Sequence, residues 1–161
     1  MTVISVEKDT DALTLTFAAE FAADVDRVWQ VWEDPRQLER WWGPPTWPAT
    51  FTRHELSVGS RSSYYMTGPD GTKARGWWLV TAVDAPTLLE FDDGFADENG
   101  EPDDSIEAVT MTVTLESIDG KTHMTTLTRF VSIEQLEKMV EMGMEEGMTL
   151  AMGQIDEVLA A

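Results

Sequence analysis

Between Phe21 and Pro45 the chain reads FAADVDRVWQVWEDPRQLERWWGPP, a window that holds Trp29, Trp32, Trp41 and Trp42 out of seven tryptophans in all. Asp24 is placed to cap a helix, since its carboxylate can accept from the first free backbone N–H groups. Val25, Val28, Trp29 and Trp32 then recur at helical spacing and give one apolar face. Asp34-Pro35 ends that helix and opens a second, because proline fits the first turn of a helix but not its interior. The second piece runs to about Arg40, where Trp41-Trp42-Gly43-Pro44-Pro45 stops it. Two short helices with large aromatics on their inner side need a wide apolar surface to lie across, and a sheet supplies one.

The rest of the chain predicts that sheet. Leu13 to Phe21 alternates as a strand, with Leu13, Leu15 and Phe17 on one face. Thr46 to His54 and Ser60 to Thr67 read as strands. Gly68-Pro69-Asp70-Gly71 is a hairpin turn leading into a strand over Lys73–Val83. Asp84 to Thr87 turns the chain back into Leu88–Asp92. Asp92 to Ser105 reads as a polar loop, and Glu107–Ile118 with Lys121–Val131 as a hairpin about Asp119-Gly120. Ser132 with Gln135 forms a capping box, with Val131 and Leu136 as its hydrophobic staple. From Ile133 to about Ala160 one helix of roughly 28 residues is expected, about 42 Å long. Gly143, Gly147 and Gly153 weaken it by about 1 kcal/mol each relative to alanine, and the first two permit a close approach or a bend. One strand, two helices, six strands and a helix is the order of an antiparallel α+β domain.

Charge and composition narrow the function. The chain carries 30 acidic against 11 basic residues, a formal charge of −19. Such a field repels phosphate backbones, so nucleic acid and anionic membrane surfaces are not expected as partners. No stretch is apolar for long enough to insert in a membrane. With no cysteine there is no disulfide framework and no thiolate chemistry, which suits the cytoplasm. The first residues lack the pattern of a secretory signal. At 161 residues a single domain over 1–161 is expected.

Val28-Trp29, Trp32, Asp34-Pro35, Leu38 and Trp41-Trp42-Gly43-Pro44 resemble the signature of a bacterial family. Its members are similar to the C-terminal domain of the activator of the ninety-kilodalton heat-shock chaperone's ATPase. The resemblance continues through Val58-Gly59 with Arg61, Gly68 to Thr72, Ala85-Pro86 before Leu88, and the C-terminal helix. It departs at Met148, which follows Gly147 where relatives often carry tryptophan, and in the acidic run from Glu90 to Glu107. The family sits in the START-like (SRPBCC, birch-pollen-allergen-like) superfamily. The resemblance therefore implies a helix-grip fold, in which a curved antiparallel sheet wraps a long C-terminal helix around an apolar cavity.

Sites of chemistry are sparse in the sequence. His54 and His123 stand apart without ligand spacing, and no nucleophile elbow or phosphate-binding loop occurs. The carboxylates from Glu90 to Glu107 invite a calcium reading. Phe95, however, stands where an acidic ligand would be needed before Asp97 and Asn99, so a solvated charge run is expected. No metal, cofactor or catalytic residue is assigned.

The C-terminal helix is dense in methionine, with Met139, Met142, Met144, Met148 and Met152, a flexible residue that accepts varied apolar shapes. In the cavity that the resemblance implies, the wall candidates are Trp29, Trp32, Trp41, Tyr64, Trp78, Met144, Met148 and Met152. Alternation sends one of Tyr64/Tyr65 and one of Trp77/Trp78 inward without deciding which. Arg61 and Arg75 are the polar candidates, with His54 and Glu90 beside them.

Three functions follow as expectations. The first is binding of a small apolar or amphipathic molecule between sheet and helix. The second, implied by the resemblance, is association with a chaperone, although the eukaryotic namesake has an additional N-terminal domain. The third is an enzyme like the superfamily's polyketide cyclases and hydrolases. The chain is expected to be a monomer or, through an exposed strand edge, a homodimer.

Overall fold

The computed structural model describes residues 3–161. Eight strands form one antiparallel sheet: β1 Val3–Asp9, β2 Thr14–Phe21, β3 Ala49–Arg53, β4 Arg61–Thr67, β5 Lys73–Asp84, β6 Leu88–Phe95, β7 Val109–Ile118 and β8 Lys121–Arg129. Their order across the sheet is β1-β2-β8-β7-β6-β5-β4-β3. β2 and β3 thus lie near opposite edges, and the segment joining them must cross the whole sheet. That segment is the tryptophan-rich window, folded as α1 Val25–Glu33 and α2 Pro35–Leu38.

The caps are as the sequence implies. The Arg27 backbone N–H donates to Asp24 Oδ1 at 2.8 Å, and the Arg36 N–H to Asp34 Oδ1 at 2.9 Å. α1 buries Val28, Trp29, Val31 and Trp32 against the sheet. α2 is tied to β3 through Glu39, whose Oε2 accepts from the Phe51 N–H, and through Arg36, which donates to the Phe51 carbonyl. The aromatics then pack as one cluster. Trp32 meets Trp41 edge to face at 4.7 Å, Trp42 meets Trp78 likewise at 4.9 Å, and Trp78 stacks on Phe91 at 3.9 Å. Such pairs add about 0.5–1.5 kcal/mol each beyond the area they bury.

The fold is α+β, as expected, with three corrections. First, the sheet has eight strands rather than seven: VISVEKD pairs antiparallel with β2. It is an edge strand in which partly buried Ile4 and Val6 alternate with exposed Ser5 and Glu7, an apolar alternation too short to stand out in the sequence. Leu13 is not in β2 but turns the chain, with φ +59°. Second, β6 runs on past Asp92 to Phe95, so Asp93, Gly94 and Phe95 are strand residues rather than loop residues. The Trp77 ring covers Gly94, and its indole N–H donates to the Phe95 carbonyl at 3.0 Å, closing this extension.

Third, the C-terminal helix is broken into α3 Ile133–Glu141, α4 Met144–Gly153 and α5 Ile155–Ala160. Gly143, at φ +93°, makes the first break, a conformation that costs glycine little and other residues more. At the second, the Gln154 N–H shortens its bond to the Ala151 carbonyl, and its side chain donates to the Gly43 carbonyl at 2.7 Å. The helix still starts where expected, with the Gln135 N–H donating to Ser132 Oγ. Gln135 Oε1 reaches back to the Val131 N–H rather than to that of Ser132. Val131 itself stays exposed, so the staple is open. No helix among the described residues is long and apolar enough to cross a membrane.

Candidate functional site

The break in the C-terminal helix faces the inner side of β4, β5 and β6, and a cavity of about 300 Å³ lies between them. Its helix side is Met139, Met142, Gly143, Met144, Gly147 and Met148; its sheet side includes Tyr64, Met66, Ala74, Asp93, Phe95 and Val109; Trp42 and Pro44, from the segment after α2, line it too. Among the lining residues only Tyr64, Arg75 and Asp93 titrate.

Strand register explains how the polar part is built. Tyr64 on β4 is paired with Gly76 on β5, and Trp78 on β5 with Asp93 on β6. The phenol of Tyr64 lies over Gly76, in space that a β-carbon there would fill. It thereby crosses β5 and donates its hydroxyl to Asp93 Oδ1 at 2.8 Å. Burial lifts the Asp93 carboxyl to about 7, opposed only by the Tyr64 hydrogen bond. Burial, then the Asp93 charge, push the Tyr64 phenol well above its usual value. The cause in both is removal of water from an ion with no cation beside it. Trp42 completes the group. It is 3% exposed, its indole N–H has no hydrogen-bond partner among the described residues, and its ring meets that of Tyr64 edge to face at 6.1 Å.

The expected cavity residues divide. Tyr64, Met144, Met148 and Arg75 line the cavity. Trp29, Trp32, Trp41, Trp78 and Met152 do not: all are buried in the core. Trp29 donates to Glu33, Trp32 to the Met124 sulfur, and Trp41 to the Val31 carbonyl. Of the adjacent pairs, Tyr64 and Trp78 point inward, while Tyr65 and Trp77 point out. Arg61 also lies on the outer side, its guanidinium 5.4 Å from the Trp77 ring centre. Arg75 reaches the cavity wall, but its guanidinium sits 5.4 Å from the Tyr65 ring centre on the outer face. There it borders a second, polar hollow with Ser63, Asn99 and Glu101.

His54 is structural. Its Nε2 lies 2.7 Å from the Trp32 carbonyl, which only accepts, so Nε2 carries the proton and Nδ1 accepts from Ser62 Oγ at 2.7 Å. Burial keeps this imidazole below the usual histidine range. Glu90 takes hydrogen bonds from Thr81 and Thr112 rather than facing the cavity. The acidic segment folds on itself: Asp97 Oδ1 accepts from the backbone of Asn99 and Glu101. Among the described residues no three histidine or acidic side chains gather within reach of one metal ion.

Sequence reasoning passed over Trp42, Phe95 and Asp93. The signal for the last two was present, since Leu89, Phe91, Asp93 and Phe95 share one face at a period of two.

Residues 22–160 match the family described as Activator of Hsp90 ATPase homolog 1-like protein. A protein of Arthrobacter aurescens, solved by NMR in solution, is 62% identical, covers 97% of this chain and 91% of its own, and superposes with a TM-score of 0.93. A crystal structure from Mycobacterium smegmatis is 47% identical over 98% of this chain and 97% of its own, with a TM-score of 0.90. A Staphylococcus epidermidis protein, also solved by NMR, is 25% identical over 97% and 93% of the two chains, with a TM-score of 0.85. No match is found among curated proteins. The extent of the family match and the two high identities lead to one conclusion: this chain belongs to the Activator of Hsp90 ATPase homolog 1-like family, on a START-like helix-grip fold.

Proposed function

We propose that this protein binds a small apolar or amphipathic molecule in the cavity between the sheet and the broken C-terminal helix. The observation that carries this reading is a cavity of about 300 Å³ walled by methionine and aromatic side chains, with one phenol–carboxyl pair inside it. Ligand sites are typically apolar hollows of roughly 300–1,000 Å³ with a few placed polar groups. Thioether side chains re-pack around varied shapes, which suits a binding wall on a helix that is interrupted at the same place.

Native mass spectrometry of the purified protein, followed by solvent extraction, tests this. The expected result is a released small molecule at constant stoichiometry, or saturable uptake of an added apolar probe. A protein that is empty and takes up no probe would sink the reading. The Tyr64–Asp93 pair also favours a second reading, an enzyme that moves a proton on the bound molecule. A carboxyl titrating near neutral pH can give and take protons there. Turnover of the bound class, abolished in Asp93→Asn under saturating substrate, is its test.

A further inference from the structure

Asp93 presents a carboxyl group to the cavity with one oxygen committed. Oδ1 accepts from the Tyr64 hydroxyl, and no other hydrogen bond or ion pair reaches the carboxyl among the described residues. Arg75, the basic residue among those lining the cavity, is turned to the other face of the sheet and held over the Tyr65 ring. Three aromatic residues, Trp42, Tyr64 and Phe95, line the same cavity. Ring faces attract cations through their quadrupole, most strongly where water is excluded. A carboxylate and three aromatic side chains lining one largely apolar hollow form a cation's binding environment, and among the described residues no ammonium or guanidinium is paired with that carboxylate.

Taken with the cavity-binding reading above, on which it rests, the geometry points to a ligand of one class: an apolar molecule carrying an amine, seated with its ammonium on Asp93 and against the aromatic rings. The ammonium donates to the uncommitted carboxylate oxygen, and the apolar body extends along the methionine side towards Met148. The energetic argument runs the same way. Burial lifts the Asp93 carboxyl to about 7 because nothing positive offsets the lost water. An ammonium in the cavity supplies that offset and draws the group back to its ionised form. An alcohol of equal length fills the same space without it. A carboxylate meets a like charge, which an apolar wall makes costly.

The test compares three probes of matched length, octylamine, octanol and octanoate, by isothermal titration calorimetry at pH 8, on the full chain and on Asp93→Asn. The expected result is octylamine binding at least about tenfold tighter than octanol, with that advantage lost in Asp93→Asn while octanol binding persists. Since the surface is strongly acidic, loose attraction of amines anywhere on it is separated by the variant: an octylamine affinity unchanged in Asp93→Asn overturns the assignment. Equal binding of all three probes, or preference for octanoate, overturns it too and leaves the cavity reading standing. Binding of none removes both. Should Asp93→Asn fail to fold, carbon NMR of the Asp93 carboxyl in the unaltered protein decides. Its resonance follows the octylamine titration to saturation if the ammonium sits there, and an unmoved resonance refutes the placement.

Discussion

The Tyr64 ring occupies the space above Gly76, and its hydroxyl reaches Asp93 only because residue 76 has no side chain. Gly76→Ala would place a β-carbon inside contact distance of the phenol, so the ring must move. Overpacking of this kind costs about 1–3 kcal/mol, which lowers the melting temperature by roughly 2–4 °C per kcal/mol at this size. Loss of the phenol's hydrogen bond also removes what holds the Asp93 carboxyl down, so its titration moves to higher pH. Carbon NMR of that carboxyl across pH 5–9 checks this. A titration unchanged from the wild type would show that Tyr64 keeps its place without Gly76.

Asp93 should make stability fall as pH rises. Its folded value, about 7, lies above the 3.8 of a free aspartate, so the native state holds a proton that the unfolded chain releases. The contribution is full below about pH 4 and lost as pH rises through about 7. Between pH 5 and pH 8 the loss is roughly 2–3 kcal/mol, an upper figure because the cavity mouth admits water. His54 opposes it. Its value is lowered by burial, so its contribution is present above the usual histidine range and lost as pH falls through it. Comparing wild type with Asp93→Asn cancels that term. Urea unfolding at pH 5 and pH 8 should show the variant's relative stability improving at pH 8 by about 2 kcal/mol. A parallel pH dependence in both would mean Asp93 titrates normally.

What could be read from the chain before folding was what depends on near neighbours. The Asp24 and Ser132 caps are of this kind, as is the Asp119-Gly120 turn, whose two residues take φ +53° and +78°. The crossing helices were legible because proline and tryptophan spacing leave few alternatives. The site was less so, since it joins β4, β5, β6 and the helix break through strand register. Trp41 and Trp42 are adjacent just past a helix end, where no periodicity tells which ring turns to the cavity. Asp93 was hidden by its acidic neighbours, although the alternation of β6 continues through it. Trp32 and Trp78 fit any apolar interior equally well; only packing assigns them to the core. Met148, by contrast, sits on the cavity as its helical position suggested.

Met148→Trp should fill the cavity from the helix side. Met148 lines the hollow and is only partly buried, so the larger ring has open volume to enter instead of tightly packed core. The expected outcome is a loss of probe affinity of at least about tenfold, with a melting temperature within a few degrees of wild type. Calorimetric titration of octanol and thermal unfolding measure the two. Unchanged affinity would place the ligand away from α4.

Gly143 and Gly147 look equivalent in the sequence, four residues apart in one helical pattern, but the structure separates them. Gly143 adopts φ +93° at the break, while Gly147 is helical inside α4; neither has an atom close to where a β-carbon would stand. With space equal, backbone preference decides. Alanine at 143 must hold a left-handed conformation, a cost of about 1–2 kcal/mol. Alanine at 147 removes the flexibility of a helical glycine and gains up to about 1 kcal/mol. Gly143→Ala should therefore unfold at lower urea than wild type and Gly147→Ala at higher. If Gly143→Ala were instead stabilising, alanine would have driven the chain into one continuous helix across Met142–Gly143. The methionines of α3 and α4 would then lose their present arrangement around the cavity, and octanol affinity would fall in that variant despite its greater stability.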